Sequence, residues 1–182
     1  MNRSCECEGR EIFAKMRLLW SQHVYWIRFF IISTAECLGD LKCVTDRLME
    51  NPCDFAEALK IFCTDEEADK FCKLMTEHLQ IAGELVNADM EKDICKADKL
   101  RRKWYKNADE IAAFLGCLDP CHNEQQWRVM MREHLRMTER EAALRLSKEY
   151  CSDIKMFDSV EKGALEMADC MAEGLFRRFC CK

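Results

Sequence analysis

Turn-forming residues are scarce in this chain. Its 182 residues include two prolines and six glycines. The glycines at 9, 39, 83, 116, 163 and 174 stand alone. Strands joined by tight hairpins need more of both, which argues against a β-rich fold. Isolated glycines also leave no loop whose backbone amides could cradle a phosphate. Long apolar runs are missing too. The most apolar stretch, Val24 to Leu38, is interrupted by Arg28 and Glu36 and follows Gln22 and His23, so it is too short and too polar to span a membrane. The N-terminus, MNRSCECEGREIF, has no apolar signal core. No Cys-x-x-Cys knuckle of a zinc ribbon or finger occurs. Ser21, Ser33, Ser147 and Ser159 lack any elbow or triad context, so the reading leans away from an enzyme. Nor is there an excess of positive charge: 28 basic residues face 33 acidic ones, a net charge of −5, with no general attraction for nucleic acid or an anionic membrane. The basic run Lys96, Lys99, Arg101, Arg102, Lys103 and Lys106 surrounds Trp104 and Tyr105. Asp98, Asp109 and Glu110 flank it, and it reads as a solvated helix face.

What is abundant is apolar and sulfur-bearing. Apolar residues make up 49% of the chain, and fourteen residues are cysteine. A chain of this length buries a full core without disulfide staples. The thiols are therefore packing residues, metal ligands or redox groups, and a reducing cytoplasm is the expected compartment. Eight of them, Cys37, Cys43, Cys53, Cys63, Cys72, Cys95, Cys151 and Cys170, are spread singly. The close pairs are Cys5/Cys7, Cys117/Cys121 (beside His122) and Cys180/Cys181.

The apolar periodicity predicts an all-α fold. A single-domain bundle covers residues 11–179, between a flexible N-terminal segment (1–10) and a C-terminal tail (180–182). A long helix is expected from about Glu11 to Leu38, with Gly39 as its C′ residue. Its seam runs through Ile12, Met16, Leu19, His23, Trp26, Phe30, Ser33 and Cys37. Two short helices, about Leu41 to Glu50 and Asp54 to Phe62, are separated by Asn51-Pro52. Thr64 and Glu67 form a capping-box pattern that opens a long helix to about Ala88. The plan then repeats. A long helix runs from Ile94 to Leu118, and short ones cover Glu124 to Arg136 and Glu139 to Leu146, the second opened by Thr138 with Glu141. A last long helix runs from Lys148 to Phe179. The order suggests a twofold duplication, with four long helices around one core and two short-helix pairs as crossovers.

The segments LLWSQHVYWIRFFIISTA, LMTEHLQIAGELVNA, RRKWYKNADEIAAFL and ALEMADCMAEGLFRRF resemble a family of small, uncharacterised helical proteins from spore-forming Gram-positive bacteria. The wording HVxW, TEHL and WYxNADEIA recurs there in this order. The resemblance spans about Leu18 to Phe179 and implies a helical fold. Some members carry the label acetylglutamate kinase, but an amino-acid kinase needs an α/β sheet and glycine-rich loops, which this sequence lacks. Cys63, Cys121, His122 and Cys180-Cys181 depart from the family's usual wording, so the excess of thiols is particular to this chain.

Two sets of residues are candidates for function. Each long helix is apolar along its inner stripe except near its middle, where His23, His78, Asn107 or Glu161 stands. Buried polar groups need partners, so these four are expected to converge in one layer. That layer either fixes helix register or holds a ligand. Two imidazoles and a carboxylate suit iron(II), manganese or zinc, with Asn107 or water completing the shell and Glu77 as a second carboxylate. A di-iron centre of the Glu-x-x-His kind is excluded because that motif is absent. The alternative is a thiol site for copper or zinc at Cys5, Cys7, Cys117, Cys121, Cys180 and Cys181. The expected function is a non-enzymatic bundle that binds a metal or small ligand, or else a scaffold that meets a protein partner or a second copy of itself.

Overall fold

The computed structural model describes residues 3–119 and 121–180, with side chains for 9–119 and 121–178. Six helices follow one another: α1 (Arg3–Ala35), α2 (Leu41–Leu59), α3 (Asp65–Met90), α4 (Ile94–Leu118), α5 (Glu124–Leu146) and α6 (Tyr150–Cys180). Among the described residues there is no strand. The all-α expectation holds, and α4 has the predicted bounds. The expected set of four long helices and two short pairs does not hold: six long helices are present.

Two misread signals account for the difference. Asn51-Pro52 does not end a helix, because Pro52 lies inside α2. A proline there removes one hydrogen bond and costs about 3 kcal/mol. The seam Val44, Leu48, Phe55 and Leu59 is buried on both sides of it and holds the helix together. Thr138 and Glu141 are not a capping box. The Thr138 hydroxyl donates to the His134 carbonyl at 2.9 Å, one turn back within α5, and Glu141 pairs with Arg28. The box at Thr64 is real: its hydroxyl accepts from Glu67 N at 3.2 Å, and Glu67 Oε2 accepts from Thr64 N at 2.9 Å.

Short connections make neighbouring helices antiparallel. Each helix packs on its sequence neighbours, α6 closes the ring against α1, and α1, α3 and α5 meet one another across the centre. Three hairpins, α1–α2, α3–α4 and α5–α6, share the same corner. Cys37, Lys92 and Lys148 take left-handed φ values of 53°, 59° and 61°. In each corner the next residue's N–H bonds back to a carbonyl five residues earlier: Leu38 to Ser33, Asp93 to Ala88 and Glu149 to Leu144. These corners recur at intervals of 55 and 56 residues. The internal repeat is therefore threefold, not the expected twofold, and Cys37 rather than Gly39 is the left-handed residue that ends the first helix.

Candidate metal centre

His23, His78 and His134 come from the three inner helices α1, α3 and α5, and follow one another at the same 55- and 56-residue intervals. They are 0%, 0% and 2% exposed. One ring nitrogen of each lies within 4.8 Å of the other two. Among the described residues no other three His, Cys, Asp or Glu side chains gather this closely. Trp20 packs edge-on to His23 with ring centres 5.6 Å apart, and Trp104 lies 5.2 Å from His78, so the layer is walled by indoles.

The outer helices orient two of the three rings. His23 Nδ1 lies 3.1 Å from Asn51 Oδ1, and Asn51 Nδ2 donates to the Leu19 carbonyl at 3.2 Å. His78 Nδ1 lies 2.8 Å from Asn107 Oδ1, and Asn107 Nδ2 donates to the Leu74 carbonyl at 3.1 Å. In both cases the carbonyl sits one turn before the histidine. Because the amide NH2 is committed to a carbonyl, the amide oxygen faces the ring. Nδ1 must then carry the proton, and Nε2 keeps its lone pair. Both Nε2 atoms are buried with no hydrogen-bond partner among the described residues, as are both nitrogens of His134.

Burial holds all three imidazoles neutral. Desolvation lowers His23 to about 4. Desolvation, with repulsion from His23, lowers His78 to about 3. Desolvation, with repulsion from His23 and His78, pushes His134 well below its usual value. Neutral imidazole is the form that binds metals. Tetrahedral zinc needs about 3.3 Å between imidazole nitrogens, from Zn–N bonds near 2.05 Å, so an ion here would draw the rings inward.

Of the polar positions expected in the layer, His23, His78 and Asn107 are there, with Asn107 as a positioning group rather than a ligand. Glu161 is not. It is half-buried and accepts a hydrogen bond from the Tyr25 hydroxyl. The inner face of α6 carries Val160, Ala164 and Met167 instead. Glu77 faces outward and pairs with Lys103 at 3.2 Å. His134 and Asn51 were missed: one lay near the expected end of a short helix, the other beside a supposed helix breaker. A signal for His134 was present, because Glu-His-Leu occurs at 77–79 and again at 133–135.

Of the six thiol candidates only Cys117 and Cys121 have described side chains, and these two join no group of three possible metal ligands among the described residues. Cys117 is exposed and Cys121 partly buried; burial pushes the Cys121 thiol up, away from the thiolate a metal needs. His122 beside it serves a turn. Asp119 accepts from the backbone N–H of Cys121 and His122 at 2.7 and 3.1 Å, lies 2.8 Å from His122 Nδ1, and accepts from Trp127 Nε1 at 3.2 Å. The side chains of Cys5, Cys7, Cys180 and Cys181 lie outside the described residues. In the basic run, Arg101 pairs with Asp98 and Glu139, and Lys106 with Glu110.

A second buried polar group lies where α1, α5 and α6 meet. Arg28 Nη1 reaches Glu141 Oε1 at 2.6 Å and Asp153 Oδ1 at 2.8 Å, and Arg145 joins Asp153 at 3.4 Å and Glu36 at 3.3 Å. Burial pushes the Glu141 carboxyl up to about 7, against the pull of Arg28.

In comparisons with known proteins, no family model, curated protein or solved structure matches the chain. No helix of the described residues is long and apolar enough to cross a membrane.

Proposed function

We propose that this protein binds one divalent transition-metal ion, with zinc preferred, on the Nε2 atoms of His23 and His78 and one ring nitrogen of His134. The observation that carries the reading is the pair of asparagine clamps. Each fixes the tautomer that leaves a buried lone pair without a donor, and these lone pairs belong to a group whose nitrogens lie within 4.8 Å. A hydrogen bond to the far ring nitrogen is how metal-ligating histidines are oriented. With Glu161 and Glu77 outside the layer, manganese loses the oxygen ligands it favours, while three imidazoles suit zinc. The TEHL and NADEIA wording of the resemblance falls on His78 and Asn107, and HVxW on His23. We extend the same reading to that family.

The test is metal analysis on protein purified without chelator, alongside titration of chelated protein with zinc. One equivalent of zinc and a rise in unfolding free energy of about 2.7 kcal/mol at a hundredfold excess over Kd are expected. Both are lost in His23→Gln and retained in Cys117→Ser/Cys121→Ser. If metal is absent from every preparation and zinc leaves the melting temperature unchanged, the reading is wrong and the layer serves helix register alone.

A further inference from the structure

The threefold repeat is broken at one position. Asn51 lies between buried Leu48 and Phe55, three residues before it and four after. Asn107 lies in the same way between Trp104 and Ile111. In α6 the matching pair is Val160 and Met167, and the residue between them at that spacing is Gly163. The third hairpin thus has its histidine and its backbone carbonyl, at Met130 one turn before His134, but no carboxamide to join them. His134, 2% exposed, has both ring nitrogens buried without a partner among the described residues.

A cleft of about 390 Å³ lies at this place, between α5 and α6. Its lining includes Met130, His134 and Gly163, the three positions that make the clamp elsewhere, together with Met137 and the exposed Lys162. That volume is within the range of small-molecule pockets. A Cβ at 163 would come within 2.9 Å of Met137 Cε, so the flexible end of Met137 covers the glycine.

We infer that the α5–α6 cleft binds a small molecule with a primary carboxamide or ureido head group, which clamps His134 as Asn51 clamps His23 and Asn107 clamps His78. To hold His134 in the tautomer of His23 and His78, the head group must accept from its imidazole N–H and donate to the Met130 carbonyl. A carboxylate only accepts and would face that carbonyl with no proton to share, while an amidinium only donates. Met137 swings aside, and its side chain and that of Val129 offer an apolar wall for the rest of the ligand. The inference does not require a metal. If zinc is bound, a ligand that orients His134 tightens zinc binding, and zinc tightens the ligand by the same factor.

Three probes of one shape separate the chemistries: benzamide, benzoate and benzamidine. Binding is followed in chelated protein by the ¹⁵N shifts of the imidazole nitrogens and the methyl resonance of Met137. Benzamide is expected to shift both, and to bind at least about tenfold more tightly than benzoate or benzamidine, the loss expected when a buried hydrogen-bonding group is left unpaired. Gly163→Asn supplies the clamp from the chain and should abolish benzamide binding. Met137→Ala opens the cleft and should strengthen it, which keeps a test in hand if the asparagine variant does not fold. The inference is overturned if no probe shifts His134 at millimolar concentration, if the three probes bind alike, or if benzamide binds folded Gly163→Asn as well as the native chain. Zinc bound at the triad without any response to benzamide would sink this inference and leave the metal reading standing; benzamide binding without zinc affinity would do the reverse.

Discussion

Acid is the sharpest probe of the histidine layer, because its effect follows chiefly from burial. In the unfolded chain a histidine titrates near 6.5. In the folded protein His78 is lowered to about 3, chiefly by desolvation. Its contribution to stability is therefore complete above pH 6.5 and is lost as the pH falls from there toward about 3. At pH 5 the unfolded form has gained about 1.5 pH units of protonation free energy at 1.36 kcal/mol each, or about 2 kcal/mol. His23, lowered to about 4, loses a similar amount, and His134 acts in the same direction. Glu141 opposes them: its carboxyl is raised to about 7, so protonation below that value favours the folded state. The comparison that isolates the layer is native protein against His78→Gln, both chelated, by urea denaturation at pH 7.5 and pH 5. Glu141 titrates in both proteins and cancels. Any constant penalty of the substitution cancels as well, and His23 stays neutral at pH 5 in either. The advantage of native protein over the variant should shrink by about 2 kcal/mol on going to pH 5. If the two stabilities fall in parallel, to within about 0.5 kcal/mol, His78 is not held neutral and the burial argument fails.

Asn107→Ala leaves the His78 Nδ1 proton buried without a partner and removes the second donor to the Leu74 carbonyl, which keeps its helical bond; it should cost about 1–3 kcal/mol by urea denaturation and weaken zinc binding about 10- to 100-fold by competition titration. Arg28→Met strips the shared cation from Glu141 and Asp153 and should destabilise by about 3–5 kcal/mol in alkaline solution, with part of the loss recovered by about pH 7, where Glu141, raised by burial and no longer held down by Arg28, is protonated. Pro52→Ala restores an N–H inside α2 and should raise the denaturation midpoint by the equivalent of about 1–2 kcal/mol, once the lost stiffness of the unfolded chain is subtracted. Cys53 and Cys72 have sulfurs 3.7 Å apart across α2 and α3, so oxidised glutathione should join them in a bridge found by peptide mapping and absent in Cys72→Ser; a map with both thiols free would count against the packing of these two helices.

The sequence was most legible where one rule acted without competition. Thr64 with Glu67 marked a helix start because both capping bonds are local, and the bounds of α4 followed from an unbroken seam. Reading failed where a local signal met a tertiary demand. Asn51-Pro52 is a strong breaker in isolation, but the buried face running through Leu48 and Phe55 kept α2 whole. Thr138 and Glu141 had capping-box spacing, yet both side chains are spent on other partners inside an intact helix. These two errors concealed the threefold plan, and with it His134. The corners gave no help, because Cys37, Lys92 and Lys148 occupy left-handed positions where glycine is the usual marker. Glu161 was placed inward because the apolar face of α6 is broad, and one position of rotation separates it from Val160, which is buried.

The threefold plan also bears on what the proposed site would do with an ion. Three parallel inner helices deliver three identical neutral ligands at one height, whereas the carboxylate-rich bundles that hold paired iron ions bring glutamates to theirs. A divalent ion on three imidazoles keeps its full double charge. That charge favours an anion in the fourth position and lowers the pKa of a bound water molecule. The indole walls of Trp20 and Trp104 offer nothing to neutralise it, and the carboxylates beside two of the histidines in sequence, Glu77 and Glu133, are paired with Lys103 and Arg136. The break in the repeat falls on the one histidine of the layer, His134, that no asparagine restrains. Two histidines are held by asparagines of the outer helices, and on the inference above a ligand in the cleft would hold the third. A site built in this way would couple its affinity for an ion to events between α5 and α6, which a fully symmetric bundle would not do.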